Sequence, residues 1–130
     1  MATLFKLTIV TPDGKKIVDE ADILNAITTA GAVGILANHL PLVAILEISH
    51  LNYKKGNESY DFAISGGVLT VSNNEVTVLA DSFETKEEID IERATKARER
   101  AEGYLKSNDP NFDLKRADLA LKRALNRLSL

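Results

Sequence analysis

Apolar and polar positions alternate along residues 4–10 (LFKLTIV), setting Phe5, Leu7 and Ile9 on one face and Lys6 and Thr8 on the other. A period of two over that length predicts a half-buried strand. Thr11-Pro12-Asp13-Gly14 ends it with turn chemistry, because proline presets φ and glycine accepts a positive φ. The same reading predicts strands near 16–20, 23–29, 49–54, 60–65, 68–72 and 75–80. Turns fall at Lys55-Gly56-Asn57 and Ser72-Asn73-Asn74. Residues 42–48 (LVAILEI) are apolar almost throughout, the pattern of a strand covered on both faces. Gly66-Gly67 lies between two of these strands, where absent side chains permit a bulge or a close backbone approach. Many short strands with regular turn signals indicate a β-sandwich or small barrel.

After residue 83 the period changes to that of a helix. Thr85-Lys86-Glu87-Glu88 has the capping-box pattern, in which the threonine hydroxyl and Glu88 satisfy each other's orphan backbone N–H groups. Ile91, Ala94, Ala97 (or Arg98), Ala101 and Leu105 then recur at helical spacing. Ser107-Asn108-Asp109-Pro110-Asn111 interrupts them, and Asp109-Pro110 predicts an N-cap followed by proline at the first helical position. Leu114, Ala117, Leu121, Ala124 and Leu128 form the stripe of a second helix. Two helices of similar length across a short break predict an antiparallel αα-hairpin. The predicted fold is therefore an N-terminal antiparallel β-sandwich, residues 1–83, followed by a C-terminal helical hairpin, residues 84–130. Alanine-rich stripes bury little apolar area, so the closed hairpin is expected to be marginally stable.

Charge divides the chain at the same place. Residues 1–83 carry five lysines, no arginine and nine acids; residues 84–130 carry eleven basic and ten acidic side chains. All six arginines lie in the second part and six of the seven glycines in the first. The net charge of −3 argues against a protein that wraps nucleic acid. With no cysteine, disulfides, thiolate metal sites and cysteine nucleophiles are excluded. His39 and His50 are too few for a histidine-based metal site. His39 reads as a loop residue hydrogen-bonded at the sandwich edge, and His50 as an ordinary strand residue. Ser65 has no base near it in sequence, and no Gly-x-x-x-x-Gly-Lys-Ser/Thr loop is present, so neither a nucleophile nor a P-loop is expected. Polar residues interrupt every long apolar run, and the N-terminus lacks a signal-peptide layout, so the chain reads as cytosolic.

Several segments resemble the ε subunits of bacterial F-type ATP synthases. They are the opening FKLTIVTPDGK, Gly34-Ile35-Leu36-Ala37-Asn38-His39-Leu40-Pro41-Leu42-Val43, Ser65-Gly66-Gly67, and the tail LKRADLALKRALNRLSL. The family usually has proline at the place of Ala37 and often an acid at that of Ala32 or Val33. The resemblance covers essentially the whole chain. It implies a non-catalytic subunit of the central stalk, peripheral to the cytoplasmic face of the bacterial plasma membrane. The implied partners are the γ subunit and the membrane c-ring for the sandwich. For the hairpin they are the catalytic β and α subunits, which it would reach by extending along γ to inhibit ATP hydrolysis. Residues 113–130 carry five basic and two acidic side chains, giving them an electrostatic reason to seek an acidic surface.

A narrower resemblance concerns a ligand. Ile89-Asp90-Ile91-Glu92-Arg93-Ala94 fits the I/L-D-x-x-R-A motif of those ε subunits that bind ATP. The resemblance implies a nucleotide site made of Glu84, Ile89, Asp90, Arg93, Ala94, Arg100, Arg123 and Arg127, with ATP as a regulatory ligand, with or without magnesium. The spacing agrees: Asp90 and Arg93 share a helical face, Arg100 lies two turns beyond Arg93, and Arg123 and Arg127 are four apart. Polyphosphate is held by several fork-shaped cationic donors, which arginine supplies. No catalytic residue or protein-held metal is expected, so the nucleotide would act as a signal. Two readings compete with this one. The arginines can form a solvated charged face, and the whole chain can be a free-standing β-sandwich module whose basic hairpin docks some other acidic partner.

Overall fold

A computed structural model describes residues 3–107 and 113–130. Eight strands are followed by two helices. The strands are β1 (Phe5–Val10), β2 (Lys16–Ala21), β3 (Ile23–Thr28), β4 (Gly31–Leu36), β5 (Leu42–Lys55), β6 (Glu58–Ser72), β7 (Glu75–Ala80) and β8 (Phe83–Glu84). The helices are α1 (Ile91–Ser107) and α2 (Leu114–Leu128). The strands pair in the order β2-β1-β7-β6-β5-β3-β4, with β8 added to β6. Every pair is antiparallel except β1–β7, which is parallel. The sheet folds over one core that includes Phe5, Leu7 and Ile9 of β1, Leu24 of β3, Ile35 of β4, Leu51 of β5 and Phe83 of β8.

Two expectations change here. The predicted strands 42–48 and 49–54 are one strand, β5, and 60–65 and 68–72 are one strand, β6. The two pair without a change of register from Leu42↔Val71 to Lys55↔Glu58. Yet the buried positions change parity along each. On β5, Leu46 is buried, then Ser49, Leu51 and Tyr53; on β6, Phe62 and Ile64, then Leu69 and Val71. A strand that turns a different set of side chains inward has passed from one layer of the sandwich to the other. That passage gives the sequence two short alternations out of phase, which read as two strands.

The crossing is made at glycine. Gly66 and Gly67 have φ of 94° and 150°, a region that side chains rarely adopt. A Cβ on Gly67 would lie 2.2 Å from the Leu79 carbonyl oxygen of β7. The second change is β4, which sequence periodicity left unassigned. Its hairpin with β3 closes through Thr28, whose hydroxyl donates to the Gly31 carbonyl and accepts from the Ala30 N–H.

The first helix begins later than predicted. The Thr85/Glu88 capping box does form, with the Thr85 N–H donating to Glu88 Oε1 at 3.0 Å and the Glu88 N–H to Thr85 Oγ1 at 3.3 Å. It closes a single turn rather than opening α1. α1 starts at Ile91, where Asp90 Oδ1 accepts the Arg93 N–H. α2 is capped by Asp113, which accepts the Arg116 N–H. The predicted cap at Asp109-Pro110 lies outside the described residues. Ala94 and Ala101 of α1 and Ala117 and Ala124 of α2 are buried at seven-residue intervals where the helices pack. Ile91, placed on the inner stripe by spacing, is exposed, because it stands at the first helical position, above the packed seam.

Gly67→Ala should lower stability by about 3 kcal/mol or more, since a rigid carbonyl and an unfavourable φ both oppose the methyl group. Gly103→Ala, in open space on α1, should raise it by roughly 0.5–1 kcal/mol. Urea unfolding monitored by circular dichroism distinguishes the two directions.

Candidate functional site

The eight residues of the predicted nucleotide site lie on β8, the turn after it, and the two packed helices. Glu84 still belongs to the sheet, pairing with Ala63 of β6. From there its carboxylate accepts a hydrogen bond from Arg127 Nε of α2 at 2.6 Å. Side chains 43 residues apart in sequence are thus joined, and both are half-buried. Ile89 and Ala94 are buried and can serve only as apolar walls. Asp90 is exposed, but its carboxylate is engaged with the first turn of α1 through the Arg93 backbone. Carboxylate charge at a helix N-terminus is itself stabilising.

The remaining three residues are cations with no ion-pair partner among the described residues. Arg93 and Arg100 are exposed and Arg123 is half-buried. None of the three forms an ion pair among the described residues, whereas Arg98 of α1 pairs with Glu102 at 3.6 Å. Arg93 and Arg100 stand seven residues apart on one helix, about 10 Å along its axis. Of the candidate site's four guanidiniums, three form no ion pair among the described residues and the fourth is held by Glu84; Arg116 of α2, outside the site, is likewise without one. This donor set suits a polyanion with several phosphates. A concavity of about 490 Å³ lies between β6, the residues after β8 and the C-terminus. Tyr60, Asp61, Lys86 and Glu87 line it, with none of the eight residues, and its two acids make it a poor place for phosphate. Among the described residues no group of three His, Cys, Asp or Glu side chains could hold a metal.

Sequence reasoning missed how the hairpin is fastened to the sandwich. Lys15, in the β1–β2 turn, donates to the Phe83 carbonyl and to Glu88 Oε2, each at 2.7 Å, with its ammonium 4.5 Å above the Phe83 ring. His50 is not an ordinary strand residue. Its Nε2 lies 2.9 Å from the Asn126 carbonyl of α2 and 3.1 Å from the Ser129 hydroxyl. Asn126 Nδ2 donates to the Ser49 and Ile64 carbonyls at 2.9 and 3.2 Å. A lone asparagine in a leucine-alanine helix was the one visible signal. His39 is exposed in its loop, with Nδ1 2.6 Å from the Leu40 carbonyl.

Comparison with known proteins places these features in context. Residues 4–86 match the family model "ATP synthase, Delta/Epsilon chain, beta-sandwich domain", and residues 87–130 match its "long alpha-helix domain". An ATP synthase epsilon chain from Bacillus licheniformis is 44% identical, covering 100% of this chain and 98% of its own length. One from Levilactobacillus brevis is 40% identical, covering 98% and 94%. Among solved structures, a chain of the Euglena gracilis mitochondrial ATP synthase (OSCP/F1/c-ring) superposes with a TM-score of 0.84 at 26% identity, covering 99% of this chain and 81% of that one. A chain of the Tetrahymena thermophila central stalk and c-ring structure shares the fold, with a TM-score of 0.63 at 18% identity over 95% and 93%.

The staple between Lys15 and Glu88 should be visible in the pH dependence of stability. The Lys15 ammonium, then the Thr85 backbone N–H, hold the Glu88 carboxyl below its ordinary value of 4.5. A depressed pKa contributes stability that is complete above the unfolded value and is lost as pH falls through the folded one. Glu88→Gln should therefore cost a few tenths to about 1 kcal/mol at pH 7, because the pair is nearly half exposed. The difference from the parent should disappear as pH is lowered below 4.5, as measured by denaturant unfolding across that range.

Proposed function

The chain belongs to the delta/epsilon family of ATP synthase subunits, and from that premise we propose that it is a non-catalytic regulator whose hairpin senses ATP and restrains hydrolysis. The observation that carries the sensing role is that three of the site's arginines, Arg93, Arg100 and Arg123, form no ion pair among the described residues, on the same helix pair as the Glu84–Arg127 pair. Guanidiniums carried on two packed helices would repel one another if brought together and would gain from a shared anion. ATP would take those donors with its phosphates, and Ile89 and Ala94 would form the apolar wall. Magnesium would arrive on the nucleotide's own phosphates.

A ligand shifts an equilibrium only through its different affinity for the two states. Arg93 and Arg100 are on α1 and Arg123 and Arg127 on α2, so separating the helices dismantles the site. ATP would thus favour the closed hairpin, and its depletion would free α2, with its basic residues, to engage the catalytic α and β subunits. The sandwich supplies the attachment. Ile45, Val68 and Leu79 face outward in one row across β5, β6 and β7, and Val43 and Leu40 nearby are 75% and 79% exposed. An apolar strip of this kind on a sheet face suits a protein partner, here the γ subunit and c-ring. The assembled subunit would sit on the F1 side of the bacterial plasma membrane; among the described residues no helix is long and apolar enough to cross one. The alternative of a free-standing module finds no support, since the relatives matching over the full length are ATP synthase chains.

Titration calorimetry of the isolated subunit should show ATP binding. Arg93→Ala and Arg100→Ala should each weaken it by roughly tenfold to a hundredfold, the worth of one charge-assisted contact. Arg98→Ala should leave it within about threefold, since that side chain pairs with Glu102. Absence of binding at millimolar ATP would return the arginines to a solvated face. In the assembled enzyme, replacing Lys115, Arg116, Lys122 and Arg123 together by alanine should raise ATP hydrolysis under low-ATP conditions. An unchanged rate there would remove the inhibitory role.

A further inference from the structure

The fastening of α2 to the sheet is polar and local. The two hydrogens of the Asn126 amide go to the carbonyls of Ser49 and Ile64, which are register partners on β5 and β6. One side chain thus bridges a paired position of the sheet. Ser49 falls in the stretch where β5 changes register against β3, between Asn25 and Thr28, so its outward carbonyl is available to a partner other than a strand. In return, the Asn126 main-chain carbonyl, in the last turn of α2 where intrahelical donors run out, accepts from His50 Nε2 of β5. The Ser129 hydroxyl donates to the same carbonyl at 3.1 Å. Residue 126 is therefore tied to the sheet through both its side chain and its backbone. The neighbouring Arg127 is tied to Glu84 of β8.

We propose that Asn126, with His50, is the latch that sets the balance between a hairpin docked on the sandwich and one released from it. The proposal rests on the sensor reading only for the use made of release; the latch itself is a property of the isolated chain. Its chemistry suits a reversible contact. Hydrogen bonds exchanged for water on release stabilise the docked state modestly, and they are directional, so they fix the position of the last turn of α2. A buried leucine there would hold more tightly and specify less. Because Arg127 of the nucleotide site is the next residue, any shift of that turn moves both. Docking and nucleotide binding are coupled through one helical turn, and each must change the other's equilibrium by the same factor.

The absence of cysteine makes the test direct. Cysteines introduced at Asn57, in the exposed β5–β6 turn, and at Lys115, on the exposed side of α2, can carry spin labels in the full chain. Their separation would be measured without nucleotide. Asn126→Asp keeps the shape but turns two donors into acceptors facing carbonyl oxygens. It should reduce the docked-to-released ratio roughly tenfold to a hundredfold and add a longer, broader distance. His50→Ala should act in the same direction from the sheet side, and His50→Gln, which restores a donor, should recover part of the short distance. Unchanged single distances in both Asn126→Asp and His50→Ala would overturn the latch. Circular dichroism and amide exchange of β1, β6 and β7 should match the parent, and a general loss of protection would overturn it too, by making Asn126 a folding residue. Calorimetry with ATP on the same proteins separates the two proposals: no ATP binding by the parent removes the sensor and leaves the latch standing.

Discussion

Two paired strands can serve both layers of a small sandwich only if they bend together, and here that bend depends on a side chain that is missing. β5 and β6 stay hydrogen-bonded in one register throughout, so their passage between layers is accommodated in the backbone alone. At Gly67 the neighbouring strand β7 brings a carbonyl to where a Cβ would stand. The consequences reach both ends of the hairpin strands. On one side of the bend β6 pairs with β7, and on the other with β8, which leads the chain toward the helices. The place of Glu84, and with it that of Arg127, follows from how β6 emerges from its glycines.

The helical hairpin is held by weaker means. Its inner seam is alanine, and such small side chains allow close approach while burying little area. Its attachment to the sandwich is a short run of polar contacts: Asn126 and His50, the Arg127–Glu84 pair, and Lys15 holding the chain segment before α1. Directional contacts of this kind locate a helix without locking it, because water can replace each of them. A sandwich with a large apolar core and a hairpin with a polar hold are suited to unequal stability. That inequality would be the physical basis for the proposed regulator, whose platform would remain seated while its arm changes place.

Much of this was legible beforehand, for reasons that can be named. The alternation of Phe5, Leu7 and Ile9 has one explanation because β1 contributes a single face to the core. The capping pattern Thr85-x-x-Glu88 specifies the hydrogen bonds between those residues, since a four-residue motif contains both partners. It does not start α1, which begins at Ile91. Asp90 offers a second cap three residues before Arg93, and the choice between two adequate caps is made by what each turn packs against. β5 and β6 were each divided in two because a change of parity has the same signature as a turn.

Sequence alone determined the classes of element and the division into a glycine-rich β part and an arginine-rich helical part. Both are written in local spacing or in a recognisable motif. Tertiary structure decided which of the candidate site's charges are spent in an ion pair and which are not. Nothing in the spacing of residues 84–127 says that Glu84 takes Arg127 and leaves Arg93, Arg100 and Arg123 without an ion pair among the described residues. Nor could it show that His50 and Asn126, 76 residues apart, meet at the end of a helix. Periodicity fixes the face on which a residue stands, because neighbours along the chain share its geometry. A partner across the fold is fixed by where two separately formed elements come to rest, and that depends on the packing of the whole chain.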